Sequence, residues 1–129
     1  MTEGNTPSND VAIQTELWYF GKLKRTEAEQ VLLLAVNENG AYLIRDSETH
    51  RNEFALSVRY GDAVIHYRIR RLDEGAGFYI AQPTTFRSLQ ELVEHYSRDA
   101  DRLCVNLRKV CAQVLSSSAS TSERFAYRY

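Results

Sequence analysis

The sequence predicts an α+β fold: a central antiparallel sheet, built as a three-stranded meander plus short extra strands, with one helix on each face. Three observations lead to it. Helix-periodic stretches lie on either side of the middle of the chain, at residues 26–34 and 88–96. Three extended runs lie between them, at 41–46, 53–60 and 64–72. Those runs are too dense in apolar residues to leave a sheet face in water, so a helix must cover each side.

Taken in order, Thr26 followed by Glu29 has the spacing of a capping box. It leads into Ala28 and Val31-Leu32-Leu33-Leu34, a first helix stopped by Asn37-Glu38-Asn39-Gly40. Ala41 to Asp46 is the first strand and is expected in the middle of the sheet. Glu53 to Tyr60 and Val64 to Leu72 come next, joined by Gly61-Asp62, a tight hairpin signal. Phe78-Tyr79-Ile80 is a fourth, short strand after the turn Gly75-Ala76-Gly77. In Ser88 to Tyr96, the spacing of Leu89, Leu92, Val93 and Tyr96 puts them on one face of a second helix.

These elements make one domain of about residues 16–113. Residues 1–15, polar and without an apolar period, are expected to be a disordered leader, and the Ser-rich residues 114–129 a flexible tail. Hydrophobic residues at 43% and charged residues at 26% suit a soluble domain. A net charge of −1 supplies no global field for nucleic acid or acidic lipid, so any anion site must be local. The longest uncharged apolar run, Val31 to Val36, is too short to span a bilayer. The first residues lack a secretory signal and a glycine at position 2. Cys104 and Cys111 are too few for a structural zinc site and are read as reduced thiols. A cytoplasmic monomer is expected, without cofactor, metal or membrane insertion.

The residue out of place is Arg45. In strand 41–46, Leu43 and Arg45 point to one face, Tyr42 and Ile44 to the other. An arginine there is costly unless paired, and a buried salt bridge is the simplest reading. The loop after the strand favours an anion instead. Ser47, Glu48, Thr49 and His50 supply two hydroxyls and several free backbone amides, an anion-binding concavity with a forked guanidinium at its floor. His66 and Arg68 share one face of the third strand, and Arg25 stands at the start of the first helix, where the dipole also favours an anion. Arg25 and Arg68 are also placed to stack on an aromatic ring. Taken singly, Arg25, Arg68, Lys22, Lys24, Arg70 and Arg71 read as a solvated surface.

Five segments in order resemble a Src-homology-2 (SH2) domain, nearest to those of the Src-family tyrosine kinases. They are Trp18-Tyr19-Phe20-Gly21-Lys22, Tyr42-Leu43-Ile44-Arg45-Asp46-Ser47-Glu48, His66-Tyr67-Arg68-Ile69-Arg70, Gly77-Phe78-Tyr79-Ile80, and Leu92-Val93-Glu94-His95-Tyr96-Ser97 with Leu103-Cys104 after it. The resemblance implies a phosphotyrosine pocket of Arg25, Arg45, Ser47, Glu48, Thr49, His66 and Arg68. Arg45 would hold the phosphate, and Arg25 and Arg68 would clamp the ring. It also implies a second pocket, for an apolar residue about three places after the phosphotyrosine, formed by Tyr67, Ile80, Tyr96 and Leu103. Ala81 and Arg102, beside that pocket, replace a common threonine and glycine of the family, which bears on peptide preference.

The implied partners are tyrosine-phosphorylated proteins, which would draw the chain to the inner face of the plasma membrane. Tyr127 and Tyr129 in the tail are candidate internal ligands once phosphorylated, against the simpler reading of an inert tail. Kinase signatures do not occur: there is no His-Arg-Asp or Asp-Phe-Gly triplet, and Gly75-Ala76-Gly77 lacks a third glycine. A fragment of a kinase, a short isoform or a free-standing adaptor is expected. A cysteine phosphatase needs Cys-x5-Arg, but Val110 and Ser117 stand six residues after Cys104 and Cys111. RNA stacking on Tyr67, Phe78 and Tyr79 is disfavoured by the near-zero charge.

Overall fold

The computed structural model describes residues 16–73 and 77–112. The expected leader at 1–15, most of the turn at 75–77 and the tail at 114–129 with Tyr127 and Tyr129 lie outside the described residues. The elements run α1 (Arg25–Leu32), β1 (Tyr42–Asp46), β2 (Phe54–Tyr60), β3 (Ala63–Arg71), β4 (Phe78–Tyr79), β5 (Thr85–Phe86) and α2 (Leu89–Arg98). The strands form one open antiparallel sheet in the order β1-β2-β3-β4-β5, each pairing with the next in sequence.

The β2–β3 hairpin closes through Gly61-Asp62, with Tyr60 opposite Ala63 and Gly61 at φ +65°, a conformation that costs glycine little. That turn sets the register, so Ser57 faces His66 and Leu56 faces Tyr67. Side-chain alternation then sorts the strands between two cores. Tyr42, Ile44, Phe54, Leu56, Val58 and Ile69 pack with α2 through Leu89, Leu92, Val93 and Tyr96. Ala41 and Leu43 pack with α1 through Ala28 and Leu32. Each fully buried leucine contributes roughly 1.5–3 kcal/mol, enough to hold a helix on each face.

Two expectations are corrected. Strand 41–46 is not the middle of the sheet but its first strand. It is buried because both flanks of the domain cover its outer edge. Ile44 exchanges backbone hydrogen bonds with Trp18 and Phe20 (2.7 and 2.8 Å), and Tyr42 does so with Lys109 and Cys111 (3.2 and 2.8 Å). An edge covered in this way has no free ladder and reads in sequence like a central strand. The first helix also starts earlier than a Thr26 cap implies. Lys24 is the N-cap, and its amide donates to Glu27 Oε1 at 3.0 Å. Glu29 is unavailable for that task because its carboxylate is drawn to His66. At α2, Ser88 Oγ accepts from the Glu91 amide at 3.2 Å, as an N-cap should.

The α1 face of β2 carries a second arginine. Arg59 Nη1 reaches the carbonyls of Leu32, Leu34 and Asn37 at 3.2, 3.0 and 2.8 Å, and Nε donates to Gly61 O at 2.9 Å. It satisfies the carbonyls that the end of α1 leaves over. Arg59→Ala is therefore expected to cost roughly 2–3 kcal/mol of stability, read as a lower urea midpoint. An unchanged midpoint would remove Arg59 from the account of how α1 is closed.

Candidate functional site

Arg45 lies on the α1 face of β1 with only 4% of its surface exposed. Two neighbours on the adjacent strands hold its guanidinium. Nε donates to Ser57 Oγ at 3.1 Å, and Nη2 donates to His66 Nδ1 at 3.2 Å. A guanidinium carries five N–H groups, so both on Nη1 and one on Nη2 remain for another acceptor. The nearest carboxylate oxygen, Glu48 Oε2, stands 3.8 Å from Nη1, beyond a hydrogen bond. Burial pushes the guanidinium down from its ordinary pKa, with Glu48 pulling the other way, and it stays charged at neutral pH. In place of a close buried ion pair, the guanidinium has neutral partners and one loose, half-exposed carboxylate.

His66 connects this arginine to α1. Ser57 Oγ lies 2.8 Å from Nδ1, and Nε2 lies 2.8 Å from Glu29 Oε2. With Arg45 and Ser57 both directing hydrogens at Nδ1, we assign the neutral ring with its proton on Nε2, donating to Glu29. Burial is the main cause holding His66 below its usual pKa, helped by Arg45 and Arg25 and opposed by Glu29. Glu29 is itself pulled below the usual carboxylate range, first by its hydrogen bond to His66.

The loop after β1 is organised by Ser47, whose Oγ accepts from the amides of Thr49 (3.3 Å) and His50 (3.0 Å). Thr49 Oγ1 meets His50 Nδ1 at 2.8 Å, and the Ser47 amide donates to Glu53 O at 3.0 Å. The expectation of several free amides is narrowed: of residues 47–50, only Glu48 has an amide without a hydrogen bond among the described residues. The Glu48 carboxylate accepts from the Arg25 amide at the start of α1. The Arg25 side chain is exposed, with Nε 3.7 Å from Glu29 Oε2, and Arg68 Nε donates to Glu53 Oε1 at 2.8 Å. The seven residues expected around a dianion therefore gather at one end of the α1 face. Glu29, Ser57 and Glu53 complete the group; none was singled out from the sequence. Ser57 has a sequence signal, since the Gly61-Asp62 turn places it opposite His66. Glu29 and Glu53 have none, because their roles depend on contacts 37 and 15 residues away.

On the other face, Tyr67 and Ile80 pack half-buried against the α2 core, while Tyr96 and Leu103 lie beneath the surface at 1% and 7% exposure. Tyr67 Oη accepts from the Cys104 amide at 2.8 Å, and burial is the first cause pushing its pKa up to about 12. Ala81 is half-buried and Arg102 exposed. No cluster of His, Cys, Asp and Glu suited to a metal occurs among the described residues, and none of their helices is long and apolar enough to cross a membrane.

The chain matches the family model described as SH2 domain over residues 18–96, more than half its length. It is 47% identical over 116 residues to human Tyrosine-protein kinase FRK. That alignment covers 87% of this chain and 23% of the relative, so the chain spans about a quarter of that protein's length.

The histidine relay gives a signed pH dependence. Because His66 titrates lower when folded than its ordinary value of 6.5, the unfolded chain binds more protons just below that pH. Stability is therefore fully present above about pH 6.5 and declines as pH falls toward the folded pKa; the Glu29 share is lost only below its ordinary 4.5. Urea midpoints measured between pH 7.5 and 5.5 should fall with acid, less steeply in His66→Gln. An equal slope in parent and variant would place the titration elsewhere.

Proposed function

We infer, since this chain belongs to the SH2 domain family, that it is a reader of phosphotyrosine with no catalytic role of its own. The observation that carries this is the buried charge of Arg45, positioned by Ser57 and His66 with no carboxylate in hydrogen-bond contact. A doubly charged phosphate answers both demands of such a group, charge and two acceptor oxygens for its fork. In this reading Ser47, Thr49 and the Glu48 amide complete the phosphate shell, His66 fixes the guanidinium, and Arg25 and Arg68 turn from Glu29 and Glu53 to the aromatic ring. Tyr67, Ile80, Ala81 and Arg102, over Tyr96 and Leu103, select an apolar residue about three places downstream.

A nucleophilic role finds no support in the thiols. Burial is the main cause pushing Cys111 up to about 11, which keeps it a protonated thiol at neutral pH. FRK is by its name a tyrosine kinase, and we assign this chain the place of the SH2 unit in a Src-like kinase, a short isoform of one, or an adaptor. Its partners would be tyrosine-phosphorylated proteins, met in the cytoplasm and at the inner face of the plasma membrane.

Two substitutions test the reading by isothermal titration with a phosphotyrosyl peptide. Arg45→Ala removes two or more charge-assisted hydrogen bonds of roughly 1.5–3 kcal/mol each, so affinity should fall about 100-fold or more while the fold persists. Arg45→Lys should fail nearly as badly, since an ammonium cannot fork. Parent-like affinity in either variant would refute the pocket. Glu48→Gln should act in the opposite sense. It removes a negative charge that the dianion must displace or approach, worth about 1 kcal/mol per unit charge at 4 Å in water, or about fivefold tighter binding. Weaker binding would instead make the carboxylate a direct contributor.

A further inference from the structure

A second concavity adjoins the Arg45 seat. It is a cavity of about 720 Å³ enclosed by side chains of segments 19–24 and 46–54 together with Arg71. Its relation to the seat comes from strand alternation. Arg45, Ser57, His66 and Arg68 are on the α1 face. Asp46 pairs with Phe54, Phe54 pairs with Ile69, and Arg71 lies two residues beyond Ile69, so these side chains are on the α2 face. The two sites meet at Ser47, Glu48 and Glu53.

Its charges are unevenly committed. Each carboxylate is engaged: Asp46 Oδ1 accepts from Tyr19 Oη at 2.6 Å, Glu53 accepts from Arg68, and Glu48 accepts from the Arg25 amide. The Lys22 ammonium and Arg51 guanidinium, both exposed, have no hydrogen bond or ion pair among the described residues, and Lys24 adds a third cation nearby. Arg71 is fixed in place, its Nε donating to Asn52 O and its guanidinium lying 5.8 and 5.0 Å from the ring centres of Phe54 and Phe78. Tyr19, Leu23 and Phe54 give the cavity apolar walls. Its volume falls within the range of small-ligand sites, far more than a bare phosphate ion needs.

Apolar walls under uncommitted cations call for an occupant with an apolar body and an anionic head. We propose that this cavity is a second pocket, taking a phosphorylated aromatic side chain: a second phosphotyrosine of a partner whose first one sits on Arg45. The proposal rests on the phosphotyrosine reading of that seat. The ring lies between Leu23 and Phe54, and the phosphate meets Lys22, Lys24 and Arg51. A lipid headgroup offers the same phosphate but has no aromatic ring to fill the apolar walls of Tyr19, Leu23 and Phe54.

The test uses the full chain saturated with a singly phosphorylated peptide, so that failure of the Arg45 seat is seen first and separately. Phenyl phosphate is then added and amide shifts are followed by NMR. Shifts at Lys22, Leu23, Arg51, Asn52 and Phe54, weakened about tenfold or more in K22E/R51E, are expected. In parallel, doubly phosphorylated peptides with a graded series of spacers are compared with the singly phosphorylated one. At the fitting spacer, binding should tighten at least about tenfold through linkage of the two sites. K22E/R51E should abolish that gain and leave affinity for the single phosphotyrosine unchanged, which also reports an intact fold. No shift at the cavity, a gain that survives K22E/R51E, or an effect of the variant confined to phosphoinositide vesicles would overturn the proposal.

Discussion

The burial of a guanidinium on strand β1 is the constraint to which the surrounding structure answers. Taking Arg45 to 4% exposure without a hydrogen-bonded carboxylate would be prohibitive if its donors were simply left in apolar surroundings. Polar groups from three elements prevent that. Ser57 comes from β2, His66 from β3, and Glu29 from α1 holds the histidine in the tautomer that accepts from the arginine. The arrangement positions the charge without neutralising it, which is the difference between a structural ion pair and a seat for an anion.

Arg59 shows the alternative outcome on the same sheet face. Its Nε and Nη1 donors meet four backbone carbonyls at the end of α1, in the turn after it and in the β2–β3 turn, which ties the side chain to the fold. Both arginines occur in apolar strand sequences at positions of like parity. What separates them is the acceptors within reach, fixed carbonyls for one and a single hydroxyl with one imidazole nitrogen for the other. Residue type and strand position therefore do not distinguish the two arginines; the acceptors around each guanidinium do.

Much of this was legible in the sequence because parity and turn chemistry are local. Alternation along 64–72 puts His66 and Arg68 on one face, and the strand pairing brings Arg45 to that same face. The SH2 resemblance likewise agreed with the family match over 18–96. What stayed hidden was set by distant segments. The strand 41–46 read as central because residues 18–21 and 109–111 hide its outer edge. The cap of α1 moved to Lys24 because Glu29, the apparent capping acid, is claimed by a histidine 37 residues on. Lys22, Lys24 and Arg71 read singly as solvated charges, since a cavity on the far face of the sheet leaves no mark in a linear pattern.

The carboxylates around the seat bear on how strongly such a site can bind. Arg25 faces Glu29, Arg68 is bonded to Glu53, and Glu48 stands nearest to Arg45 while also capping α1. Each basic group that the proposed ligand would meet already has an anion within 4 Å. Binding phosphate is then largely an exchange of one anion for another, and only the difference between a dianion and a carboxylate appears as affinity. Neutral Ser57 and His66 do not compete in this way, so at Arg45 a dianion would displace only the loose Glu48 contact at 3.8 Å. On the proposed reading such a site would favour phosphorylated over bare tyrosine, because only a dianion offers more than the carboxylates it would displace.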